Sequence, residues 1–173
     1  HSPKENLALL ATADCTGHGV PGALMSMIGI SMLKEIVIEK KNHDPGTILN
    51  ILRDGIITAV NPEGSETESN DGMDISLCRI DFEKMQLEYS AANNSIYIVR
   101  KSLIIELEPD HFPVGKYAGD MHSFTTHELP LEKGDVVYAF TDGFADQFGG
   151  PKGKKFKYAQ FKKLLIEINS LPM

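Results

Sequence analysis

Cysteine is scarce in this chain: two in 173 residues, Cys15 and Cys78. They form no CxxC pair, so neither a zinc site of that type nor a disulfide framework is indicated, and reduced, cytoplasmic thiols are the expectation. Both read as small structural residues. Long apolar runs are missing too. No uninterrupted stretch approaches the roughly 18 residues of a membrane span, so no membrane contact is expected of this domain. The opening His1-Ser2-Pro3-Lys4-Glu5-Asn6 lacks the pattern of a signal peptide. Positive charge is in deficit: 17 Lys and Arg face 24 Asp and Glu, for a formal charge of −7. A nucleic-acid binder needs a basic footprint, so that partner is excluded. What remains, 42% hydrophobic and 24% charged residues, is an ordinary globular composition long enough for a core without staples. An acidic balance suits a site built from carboxylates.

Periodicity orders the chain. Residues 7–13 (LALLATA) are a short apolar run, read as a buried strand, followed by the turn Asp14-Cys15-Thr16-Gly17-His18-Gly19. Residues 20–41 step helically through Met25, Ile28, Met32 and Ile36, with apolar coverage wide enough to predict burial on most sides. Met25, Met27 and Met32 are expected to fill gaps in the core. After the break His43-Asp44-Pro45-Gly46, residues 47–60 predict a second helix with Ile48, Leu49, Leu52, Ile56 and Ile57 on one face. Residues 61–72 form an acidic, turn-rich loop, either a flap or a plain connection. The period then becomes two. Strands are expected over 73–81, 86–91, 95–100, 103–107, 122–129 and 136–141, with turn chemistry at 81–84 and at Asn93-Asn94. A lysine-rich loop over 151–157 leads to a last helix over 158–169. Strand, two helices, a run of antiparallel strands and a helix make an α+β domain, read as a single domain over residues 1–173.

Gly17-His18-Gly19-Val20-Pro21-Gly22 fits GxGxxG, but the context does not: a dinucleotide fold needs a second strand after one helix, and here a second helix and an acidic loop follow. Asp14 and Asp142 are more informative. Each follows an apolar run expected to be a core strand and stands close to glycine, which lets backbone approach a ligand closely. Carboxylates with carbonyls and waters are the ligand set of Mg²⁺ or Mn²⁺. Capping of two turns is the other reading of the same pattern.

Residues 12–29, TADCTGHGVPGALMSMIG, closely resemble the signature of the SpoIIE-like branch of the PPM (PP2C-type) metal-dependent protein phosphatases. Three more segments fit in order: Asp71-Gly72-Met73-Asp74-Ile75-Ser76-Leu77, Glu88-Tyr89-Ser90-Ala91-Ala92-Asn93-Asn94, and Lys133-Gly134-Asp135 with the later run Tyr138-Ala139-Phe140-Thr141-Asp142-Gly143. The resemblance implies an αββα sandwich of two mainly antiparallel sheets flanked by helices. It implies two metal ions, Mn²⁺ or Mg²⁺, between the sheet ends in a complete domain. It puts Asp14 at the carboxylate bridging both ions, Cys15 at a backbone-carbonyl ligand, and Asp142 at a ligand of one ion. The implied reaction is hydrolysis of phosphoserine or phosphothreonine in a partner protein by the output domain of a bacterial-type cytoplasmic signalling protein, behind a sensor domain.

Two family features are absent from the sequence: a preceding strand with a GDFYD-like motif and a terminal aspartate pair. The chain therefore reads as a fragment of a larger protein, expected to hold no ion or one. A non-catalytic module that binds a phosphoprotein or partner-switching protein is the alternative. His18 reads either as a general acid or as a turn and helix-start residue, and Asp74 as a neighbour able to assist. Lys152, Lys154, Lys155 and Lys157, with Lys162 and Lys163, make up six of the 17 basic residues. They form either a solvated loop or a patch that steers an acidic or phosphorylated partner.

Overall fold

The computed structural model describes residues 6–61, 71–119, 122–149 and 153–170. Strand β1 (Leu7–Cys15) pairs antiparallel with β2 (Gly72–Asp81) along its whole length, from Leu7 opposite Asp81 to Cys15 opposite Met73. On the far edge of β2 lies β3 (Gln86–Ala92), and β7 (His127–Pro130) pairs with β3. The two-residue β6 (Val114–Gly115) pairs with Gly72 and Met73. A second sheet has the order β5 (Leu103–Leu107), β4 (Ile96–Arg100), β8 (Val136–Ala139). A short hairpin joins β9 (Phe148–Gly149) to β10 (Lys154–Lys155). Helices α1 (Gly19–Lys34) and α2 (Pro45–Val60) follow β1, and α3 (Tyr158–Asn169) follows the hairpin.

Strand alternation sorts the side chains into three cores. Met73, Ile75 and Leu77 of β2 join Met25 and Ile36 and the fully buried Ile48, Leu49, Leu52 and Ile56 of α2. Cys78 faces the other way, packing with Leu87, Ala91, Ile96, Ile98 and Leu107 between the sheets. Tyr97 and Val99, on the opposite face of β4, pack on Phe161 and Leu165 of α3. Helix layer, sheet, sheet and helix stack as the expected αββα sandwich.

Local chemistry accounts for the helix boundaries. Asp44 caps α2, its carboxylate accepting from the Thr47 amide at 2.7 Å, and Pro45 takes the first turn where no amide is needed. The expected helix over 20–41 is α1 continued by a π-helical turn, Glu35–Glu39. Together they make 21 residues, long and apolar enough by length and composition to cross a membrane, which the absence of an apolar run did not anticipate. The helix packs along one face only. Met25 is buried, Met32 lies against the core, and Gly29 opens the groove that receives the Met73 side chain. Val20, Leu24, Met27 and Ile30 are exposed, so burial on most sides does not hold and Met27 is not core.

Other expectations change for similar reasons. β1 is an edge strand with one neighbour and is largely half-exposed rather than buried; it also runs on through Asp14 and Cys15. Residues 122–126 are not strand. The Phe124 backbone is satisfied by α2 instead: its amide donates to Asn50 Oδ1 and its carbonyl accepts from the Asn50 amide group, while the Thr126 hydroxyl in turn accepts from the Gly46 amide of α2. β8 ends at Ala139, two residues short of Thr141. The lysine-rich segment contributes a hairpin strand, not only a loop. Most of the acidic loop, residues 62–70, and residues 151–152 of the lysine segment lie outside the described residues.

Leu52→Ala is expected to lower the unfolding free energy by roughly 2–5 kcal/mol through the cavity it leaves, and Leu24→Ala on the exposed face of α1 by less than about 0.5 kcal/mol. Urea denaturation followed by circular dichroism separates the two.

Candidate active site

Three carboxylates lie within electrostatic reach of one another at one end of the sandwich. Asp14 lies directly opposite Asp74 in the β1–β2 ladder. Such partners have Cβ atoms about 4.5–5.5 Å apart on the same face. Asp74 is half-buried, and one of its oxygens accepts from the Asn93 side-chain amide at 2.7 Å. Burial raises the Asp74 carboxyl above the ordinary range; the Asn93 bond opposes this, and the charges of Asp14 and Asp142 add to it. Asp142, on the loop after β8 in the other sheet, therefore lies within electrostatic reach of the same point.

The chain beyond Asp14 is closed tightly. The Thr16 amide donates to the Gly72 carbonyl at 3.0 Å, and Thr16 Oγ1 accepts from the Gly72 amide at 3.0 Å. Gly17 has φ +90°, and a Cβ on Gly22 would lie 2.8 Å from the Gly17 carbonyl oxygen. The glycines of the GxGxxG pattern thus fold a loop back onto the start of α1, beside an antiparallel pair and not a parallel βαβ unit. His18 is the N-cap residue in extended conformation, and its side chain makes no capping bond. Cys15 is half-buried against the helix-layer core, so its thiol packs. Burial pushes the Cys78 thiol up to about 12, which suits an inert core residue.

Asp142 is held by aromatic packing. Phe140, two residues earlier, stacks on Tyr97 and Phe161 with centroids 4.6 and 4.9 Å away. The Asp146 amide donates to the Asp142 carbonyl at 2.9 Å, and Ala145 is fully buried. The Tyr158 phenol is raised first by burial and then by the charges of Asp142 and Asp146, which puts the first residue of α3 beside the carboxylates. Asn93 bonds directly to the site and Tyr158 stands within electrostatic reach of it, and sequence reasoning missed both. Asn93 has φ +59°, a conformation asparagine tolerates, so its turn was legible and its partner was not.

Oxygen donors and mutual carboxylate repulsion in this cluster fit a hard, hydrated divalent ion. Among the described residues no three His, Cys, Asp or Glu side chains close around a single point. An ion at this end would thus rely on main-chain carbonyl or water oxygens beside Asp14 and Asp142.

Known structures share this architecture. The SiaA-PP2C domain of Pseudomonas aeruginosa is 30% identical with a TM-score of 0.78, over 92% of this chain and 61% of that one. The PP2C phosphatase domain of SpoIIE from Bacillus subtilis, solved with a fragment of its regulatory domain, is 17% identical with a TM-score of 0.67, over 96% of this chain and 45% of that one. RsbX in complex with magnesium is 19% identical with a TM-score of 0.56, over 96% of this chain and 75% of that one. The fold is that of PP2C-type phosphatase domains. Residues 4–173 match the family described as Stage II sporulation protein E (SpoIIE), and the chain belongs to that family. It spans less than two thirds of the length of the SiaA and SpoIIE structures. No curated protein sequence matches it.

Because the folded state raises the Asp74 carboxyl, the stability this group contributes is present below the ordinary carboxylate range and is lost as pH rises through the raised value. Asp74→Asn keeps an acceptor for Asn93 and removes the charge. In EDTA it is expected to raise Tm at pH 7, with the gain vanishing at about pH 3, where the wild-type carboxyl is protonated. Thermal melts at the two pH values check this.

Proposed function

We propose that this chain is the catalytic part of a metal-dependent phosphatase acting on phosphoserine or phosphothreonine in a partner protein, as the cytoplasmic output domain of a bacterial-type signalling protein. The observation that carries the reading is that Asp14, at the end of β1, and Asp142, on the loop after β8, both lie within electrostatic reach of Asp74. The SpoIIE family match and the PP2C fold support it, as do the magnesium bound by RsbX and the regulatory setting of SpoIIE from Bacillus subtilis.

Asp14 and Asp142 would hold Mn²⁺ or Mg²⁺, with the Cys15 main-chain carbonyl as a further oxygen. Bound divalent cations supply positive charge that polarises a phosphoryl group and makes water nucleophilic near neutral pH. The protein supplies the rest. β1 and the Phe140-anchored loop fix the two carboxylates on rigid backbone, so binding needs little reorganisation. Asn93 fixes the orientation of Asp74 by donating to one of its oxygens. Pairing to Gly72 through Thr16 holds the end of β1 against the charge repulsion it carries.

Phosphate release from a phosphoserine peptide, measured on the full-length protein, is expected with Mn²⁺ and to disappear in EDTA. Asp142→Asn is expected to reduce the rate by roughly a hundredfold or more with an unchanged circular dichroism spectrum, since an amide cannot offset the cation's charge. Equal rates with Mn²⁺ and with EDTA would overturn the reading and favour a binding module.

A further inference from the structure

Basic residues gather in the segment that follows the Asp142 loop. The chain carries −7 overall, yet six of its 17 basic residues fall within residues 152–163. The β9–β10 hairpin, whose second strand carries Lys154 and Lys155, is tied to the Asp142 loop. The Phe156 amide donates to the Gln147 carbonyl at 2.8 Å, the Lys157 amide donates to the Ala145 carbonyl at 2.7 Å, and the Phe156 ring meets Phe144 edge-on at 5.6 Å. Lys155 pairs with Asp146 at 2.7 Å, and its charge reaches the same Tyr158 phenol that senses Asp142. The hairpin therefore holds a fixed place beside the carboxylate cluster.

Lys154 and Lys157 are exposed and have no ion-pair partner among the described residues. Phe148, the cross-strand partner of Lys155, is 74% exposed, and Phe144 and Tyr158 are exposed nearby. Lys157 has φ 68° and ψ 154°, a region close to one that is essentially reserved for glycine. A lysine at a position where glycine would be relaxed is costly for folding, which points to a use for its side chain.

We propose that the β9–β10 hairpin and Lys157 form a docking surface for an acidic segment of the partner protein, with Lys154 and Lys157 meeting its carboxylates and Phe148 its apolar side chain. That the partner is a phosphoprotein rests on the proposed phosphatase activity; the docking itself requires neither metal nor phosphate. The chain is acidic overall, so unpaired lysines at this hairpin favour the approach of such a segment to the edge of the site.

The test is fluorescence anisotropy of the full-length protein in EDTA with two labelled, unphosphorylated peptides. One contains Glu, Asp and Leu; in the other Gln and Asn replace the acids. The acidic peptide is expected to bind more tightly at about 50 mM salt, with the difference fading at about 500 mM. Lys154→Ala with Lys157→Gly is expected to weaken it roughly fivefold, and Phe148→Ser to weaken it as well. Lys133→Ala, at a distant turn, is expected to leave it unchanged. Lys157→Gly alone is expected to raise Tm while weakening binding, which separates docking from fold integrity. Equal affinity for both peptides, or no effect of the lysine substitutions, overturns the proposal. So does binding to phosphatidylserine vesicles in place of the acidic peptide, abolished by the same lysine substitutions, which would make the hairpin a membrane contact. Docking without phosphate release from an acidic phosphopeptide in Mn²⁺ supports the surface and removes the phosphatase reading. Phosphate release with no preference for acidic flanks does the reverse.

Discussion

Repulsion between carboxylates is the constraint on which the rest of this structure depends. Asp14 and Asp74 face each other across one rung of a two-strand ladder, and Asp142 approaches from the other sheet. Like charges opposite each other destabilise a sheet, so the ladder has to be secured on either side of that rung. The means are visible. Seven residue pairs of the β1–β2 register precede Asp14, from Leu7 opposite Asp81 to Ala13 opposite Ile75. Beyond it, Thr16 and Gly72 close the strand end with two further bonds. The helix-layer core then holds β2 from behind, through Met73, Ile75 and Leu77.

β1 itself contributes little to that security. It has one strand neighbour and stands largely half-exposed, so its register rests on β2 and on the packing of Leu9 and Cys15 against the helix-layer core. A one-residue slip would send Asp14 to the opposite face and uncouple it from Asp74. The side of the site built on Asp142 has a different support. There the aromatic rings of Tyr97, Phe140 and Phe161 provide the rigidity, and backbone pairing stops at Ala139. One carboxylate is thus placed by hydrogen bonds and the other by packing.

Much of this was legible in the residues, and the failures have physical causes. The strands leading to Asp14 and Asp142 could be located because an apolar run precedes each aspartate, but their ends could not: β1 runs on through Cys15, and β8 stops at Ala139 so that Asp142 stands on a loop. The α2 boundary was legible because Asp44 and Pro45 are local signals whose effect does not depend on the rest of the fold. Burial was misread where a residue's neighbours decide it. The apolar runs of β1 and α1 look like interior, yet one is an edge and the other leaves Val20, Leu24, Met27 and Ile30 uncovered. Residues 122–126 alternate like a strand, but Asn50 and Thr126 give their backbone and that of α2 other partners. β6 was invisible because two residues carry no period. What lets β6 in is a contact: a Cβ on Gly72 would come within 2.7 Å of the Val114 carbonyl oxygen.

The separation of the interior into three cores has a consequence for how the domain can change over time. Substitutions in separate compartments with no shared partners have nearly additive effects, whereas those within one compartment must compensate each other. The compartment around Tyr97, Phe161 and Leu165 supports α3 and the segment leading into it, and it shares no buried residue with the compartment behind Asp14 and Asp74. Drift in that outer layer can reshape the face presented to other molecules while the β1–β2 ladder keeps its register. Descendants of one such domain could then diverge in the company they keep long before they diverge in chemistry.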